Sequence, residues 1–196
     1  MNSQSIILIV AIAFAVWYLS HQAGRLDRLH HRIEVTELAL HGQLVRRGGI
    51  VAELAAVPGI DQALSALWGQ AAHEALILQE VSSPERTQVE DELTSILVMT
   101  LDEAEEVNEI RSNQHASALL DELAQVCDRI QMSQQFHTDA VRDCLEIREQ
   151  FLVRFFRLAG RAKPPVPVDL DVQIPPALAD SQKSPGSLDL GKPKKL

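Results

Sequence analysis

The chain has 196 residues, 46 % of them hydrophobic and 4 % aromatic, with 18 Lys or Arg against 27 Asp or Glu and a formal net charge of −9. One ordinary domain can bury a core at this length. The acidic balance excludes a general nucleic-acid binder, which needs excess positive charge to displace counterions from phosphates, and two cysteines exclude a disulfide scaffold. Leu, Ala, Glu, Gln and Arg recur through the middle of the chain, which favours helix over strand.

The N-terminal run Ser5 to Ser20, SIILIVAIAFAVWYLS, carries no charge. It is slightly shorter than the roughly 20 residues that span a bilayer as helix, and His21 extends it toward the headgroups. Ile6, Leu8 and Phe14 would face lipid, and Trp17 and Tyr18 fall where an interfacial aromatic belt sits. A cleaved signal peptide fits less well, because residues 1–4 hold no Lys or Arg and LSHQAGRL is a poor cleavage site. Arg25, Arg28 and Arg32 follow the run and none precedes it. The positive-inside rule then places the N-terminus outside and the rest in the cytoplasm, at the cell membrane, as a single-pass protein. The expected division is an extracytoplasmic stub 1–4, an anchor 5–21, a helical bundle 22–161 and a Pro-rich tail 162–196.

From Gly24 to Ala56, Leu26, Leu29, Ile33, Leu40, Leu44, Val51 and Leu54 fall on one helical stripe. Gly48-Gly49 allows a bend, but the stripe resumes and one helix is expected. Pro58-Gly59 marks a turn and Asp61 a cap, after which a second helix runs from about Gln62 to Val81 around Trp68. Ser83-Pro84-Glu85 starts a third helix with Leu93 and Leu97 inward. After a soft break at 105–113, a fourth helix runs to Leu158, with Leu123, Ile130, Val141 and Phe151 inward and Gly160 as its stop. Short connections imply an all-α, up-down bundle of four long antiparallel helices. Seven of the nine prolines lie in residues 163–196, so that tail is expected to be disordered. Arg161, Pro164 and Pro167 match a weak R-x-x-P-x-x-P pattern within it.

Residues 85–109 hold nine Asp or Glu against one Arg, a net of −8. Arg154, Arg157 and Arg161 close the last helix. In an up-down bundle they share the membrane end with Arg25, Arg28 and Arg32, where each suitably placed cation gains about 1 kcal/mol from anionic lipid. Dipole complementarity at a helix C-terminus explains the later cluster equally well.

Motifs of chemistry are absent: no GxGxxG, GxxxxGK[ST], CxxC or GxSxG occurs. His73-Glu74 lacks the second zinc-binding His, since Ile77 stands there, and no Glu is followed by His at the third position, as a di-iron bundle needs. His30, His31 and His41 with Glu34 and Glu37 read as paired surface groups. His137 and Cys144 are seven residues apart, roughly 10 Å along a helix, too far for a nucleophile pair. Cys127 and Cys144 read as small core residues. No catalytic residue, metal or cofactor is expected, and the chain is read as a non-enzyme.

Two stretches, RLDRLHHRIEVTELALHGQLVRRGGIVAELA (Arg25 to Ala55) and FHTDAVRDCLEIREQFLVRFF (Phe136 to Phe156), resemble the LemA family, as does the order of stub, span and helical bundle. The family's Pro-Asn and Tyr-Asn pairs are replaced here by Ala52-Glu53, His137-Thr138 and Cys144-Leu145, and its Pro after Phe151 by Leu152, as in a divergent, actinobacterial-type member. The resemblance implies the fold and topology and no activity. The function expected is an interaction or scaffold module at the cytoplasmic membrane face, with an unknown protein partner or a second copy. The alternative is an accessory or sensory subunit of a membrane enzyme or transporter, held through its span.

Overall fold

The computed structural model describes residues 3–78, 83–149 and 167–178. Its regular structure is all-helical among the described residues: α1 Ser3–Ala55, α2 Gln62–Ile77, α3 Pro84–Thr100, α4 Ala104–Arg111 and α5 Gln114–Glu149. Helix α1 is continuous for 53 residues, through Gly24 and through Gly48-Gly49. The soft break expected at 105–113 contains a helix of its own: α4 is eight residues long and buries Val107. Among the described residues the expected break between the third and fourth helices is thus filled by a further helix. Leu101 ends α3, and the run of charge at Asp102-Glu103 offers no apolar side chain to carry that helix further.

Capping residues set the joints. The Asp61 carboxylate accepts from the Ala63 and Leu64 amides at 2.8 and 3.1 Å. Ser83 accepts from the Arg86 amide at 3.1 Å, with Pro84 in the first turn of α3. Asn113 Oδ1 accepts from His115 and Ala116, opening α5. Each satisfies amides that a helix start otherwise leaves bare. Gly59 has φ +99°, which side-chain-bearing residues rarely adopt, so the α1–α2 turn depends on it.

The chain divides into two compact units, residues 1–42 with 132–169 and residues 43–131 with 170–196. In the first, α1 and α5 run antiparallel: Thr36 meets His137 and Arg32 meets Asp143. Its core joins Ile33 to Ala140, Val141, Cys144 and Ile147, with Leu29 and Leu145 packed against them. The spacings of three and four along α5 put those side chains on one face.

In the second unit, the end of α1 and the start of α5 are again antiparallel, since Asn113 Nδ2 donates to the Pro58 carbonyl and Arg46 pairs with Glu122. Helices α2 and α3 pack on each other. Trp68 is fully buried and its indole donates to Thr100 Oγ1 at 3.0 Å. Leu44, Val51, Leu54, Leu93, Leu97, Leu120, Leu123 and Ile130 are buried in this unit, and Leu40 is buried in the first.

Part of the tail departs from the disorder expected of it. Residues 167–175 form neither helix nor strand, and a short turn of helix covers 176–178. Val168, Leu170 and Val172 are buried in alternation with exposed neighbours, and Leu178 is buried too. The physical reason is an alternation, V-D-L-D-V-Q from Val168, whose apolar members all fall on one side of an extended chain. Proline tolerates that backbone well, so a Pro-rich composition did not exclude a packed segment. Residues 162–166 and 179–196 of the tail lie outside those described, as do Phe151, Arg154, Arg157 and Arg161.

Candidate functional site

The N-terminal part of α1 is the first feature to place. Ile6, Ile7, Ile9, Val10, Ile12, Phe14, Val16 and Trp17 are all exposed, between 46 and 68 %. At 100° per residue these positions cover well over half the circumference of the helix. Phe14 and Trp17 approach with ring centroids 5.8 Å apart, and Trp17 stacks on His21. Tyr18 is half-buried. The side chain of Leu8 lies outside those described, with those of Ala11, Ala15 and Leu19. Among the described residues, no helix is long and apolar enough to cross a membrane.

Next along α1, Arg25, Arg28 and Arg32 line a shallow cavity of about 380 Å³ with Leu29, Asp143, Glu146 and Ile147. Arg25 and Arg28 are exposed. Arg32 is held by Asp143 at 3.1 Å, so one of the three cations is already partnered by an acid of α5. His31 and Glu34 approach at 3.7 Å. No group of His, Cys, Asp or Glu among the described residues is arranged to hold a metal ion. His137 is buried, with Nδ1 3.3 Å from Thr36 Oγ1.

The second unit contains a buried ionic centre that sequence reasoning missed. Arg47, Arg86 and Glu90 are each no more than 1 % exposed. Glu90 Oε2 accepts from Arg47 Nη2 at 2.5 Å, and Glu90 Oε1 lies 2.6 Å from Arg86 Nη2. Arg47 also donates to Thr94 Oγ1 at 2.9 Å and to the Glu90 carbonyl at 3.0 Å, and Arg86 donates to the Leu78 carbonyl. One carboxylate thus ties α1 to α3 and shares itself between two guanidiniums. Burial pushes the Cys127 thiol up, and Arg47 beside it pulls it part of the way back. The signal was positional. Arg47 lies three after Leu44 and four before Val51, and Arg86 and Glu90 continue the stripe of Leu93 and Leu97 backward. Charged side chains on core positions belong in a buried pair.

A groove of about 680 Å³ lies at the α1–α2 turn of the same unit, lined by residues such as Val57, Ile60, Leu64 and Met99 with Glu106 and Glu109 at its edge. Asp102, Glu103, Glu105, Glu106 and Glu109 are all exposed. No family model, curated protein or solved structure matches the chain.

Proposed function

We propose that this protein is a membrane-anchored, non-catalytic helical-bundle protein, LemA-like in organisation, that presents its bundle to a protein partner or to a second copy at the cytoplasmic face. The observation that carries the reading is the exposed apolar stretch Ile6–Trp17 on a helix that continues into the packed part of the chain. A helix apolar over most of its circumference is stable only inside an apolar medium, and a bilayer supplies one. Trp17 at the end of the stretch and the exposed Arg25 and Arg28 beyond it have the order of an interfacial boundary, with the cations on the inner side. Exposed Val35, Leu38, Met132 and Phe136 offer apolar contact for a partner outside the anchor.

Alkaline extraction of membranes from expressing cells tests the anchor. The full chain is expected to stay in the pellet. Ile9→Lys with Ile12→Lys, at roughly 2.5–3.5 kcal/mol per charge near a span's centre, is expected to move it to the supernatant. Wild-type protein in the supernatant would overturn the anchor. In-cell crosslinking followed by purification tests the interaction role. A near-stoichiometric second protein or a self-crosslink supports it, and an exclusively uncrosslinked chain refutes it.

A further inference from the structure

Residues 170–178 sit on the second unit in the manner of a bound peptide. Two main-chain groups of the segment are met by side chains of two different helices. Asp91 Oδ1 on α3 accepts from the Asp171 amide at 2.8 Å, and Gln131 Nε2 on α5 donates to the Val172 carbonyl. Leu170, Val172, Pro175 and Leu178 are buried, whereas Asp171 and Gln173 are exposed. Within the segment, Leu178 N–H donates to the Pro175 carbonyl, and Gln173 Nε2 to the Asp171 carboxylate at 3.4 Å. Contacts to main-chain groups hold any extended peptide, and burial of alternate side chains selects among sequences.

From this we infer that the face of the second unit marked by Asp91 and Gln131 is a peptide-binding groove, filled by the chain's own residues 170–178 and equally able to seat the same segment from a second copy. The ligand class is an extended peptide with apolar residues at alternate positions and acids or amides between them. The occupant is specified by what already lies there, because a second copy's segment is chemically identical to it. The inference goes beyond anchoring, since it concerns the second unit alone and holds whether or not residues 5–21 enter a bilayer. A tethered ligand competes at millimolar effective concentration, so the groove of the intact chain is masked toward added peptide.

The test uses the full chain in mild detergent and a fluorescein-labelled peptide of residues 167–178, PVDLDVQIPPAL, followed by fluorescence anisotropy. Leu170→Asp with Val172→Asp unseats the chain's own segment and leaves the groove side chains in place. This variant is expected to bind the peptide saturably and at least tenfold more tightly than wild type. Adding Gln131→Ala is expected to weaken that binding severalfold. A variant that keeps its helical circular dichroism but shows no saturable binding overturns the inference, as does equal binding by variant and wild type. Should the variant lose its helical signal, hydrogen exchange on the wild-type chain decides. The Asp171 and Val172 amides are expected to exchange at least tenfold faster than the buried α5 amides from Leu123 to Ile130. Exchange of both sets at one common rate would show that the groove is vacated only on global unfolding, and the inference falls.

Discussion

Replacing Glu90 by Gln removes the carboxylate that pairs with both the Arg47 and Arg86 guanidiniums. Both cations are then left in an interior where neither exceeds 1 % exposure. Breaking a buried ion pair from one side costs about 3–5 kcal/mol, because the remaining charge stays desolvated without its partner. Here two cations are stranded, and the Leu78 carbonyl and Thr94 hydroxyl replace only part of what Glu90 supplied. Against a total stability of roughly 5–15 kcal/mol, that is a large fraction. At about 2–4 °C per kcal/mol for a chain of this length, Tm is expected to fall by roughly 6–20 °C. Urea unfolding followed by circular dichroism at 222 nm gives the free energy directly. The triple variant Arg47→Met, Arg86→Leu, Glu90→Leu is expected to lie near wild type or above it, since an apolar replacement of comparable volume removes the desolvation cost along with the attraction. Glu90→Gln within about 1 kcal/mol of wild type would refute the reasoning, because the cost of stranding a buried charge cannot be that small.

Two further perturbations read other parts of the structure. Burial raises the Cys127 thiol above its ordinary value of 9.0. A group whose folded value is raised contributes stability that is complete below its unfolded value and is lost as pH climbs toward the folded one. Urea midpoints from pH 7 upward are therefore expected to fall more steeply above pH 9 for wild type than for Cys127→Ala, and parallel curves would contradict the burial of this thiol. Gly59→Ala places a Cβ in open space but at φ +99°, so it is expected to cost about 1–2 kcal/mol in the same assay, from the backbone alone. No loss would show that the α1–α2 turn does not require that conformation.

The helical part of the fold was legible because it follows from local rules. Asp61 and Ser83-Pro84 mark helix starts by capping chemistry that needs no tertiary context. The stripe through Ile33, Leu40 and Leu44 repeats at helical spacing, and these residues are buried. Three features escaped for different reasons. Helix α4 lies in a run of acids, where composition suggested a break and only Val107 supplies an inward side chain. The Arg47–Glu90–Arg86 centre was hidden by the habit of assigning charge to solvent, although the register put all three on core positions. The buried segment 168–178 was hidden by its prolines, which mask an alternation of two in V-D-L-D-V-Q. Which surfaces act as sites is less legible still, because an interaction surface needs no fixed spacing of reactive groups.

The seating of residues 170–178 has a consequence for how the protein is made. Translation delivers α1 to α5 before this segment, so the surface it will cover can form while still bare. The docking of a short segment onto that helical surface then follows, closing the loop from Gln131 to Val172. Until that step Leu170, Val172 and Leu178 have nowhere to be buried, and the helices present apolar surface to other nascent copies. A stop codon just before Leu170 would therefore do more than shorten the protein: it would leave every molecule permanently in the state that normal synthesis only passes through.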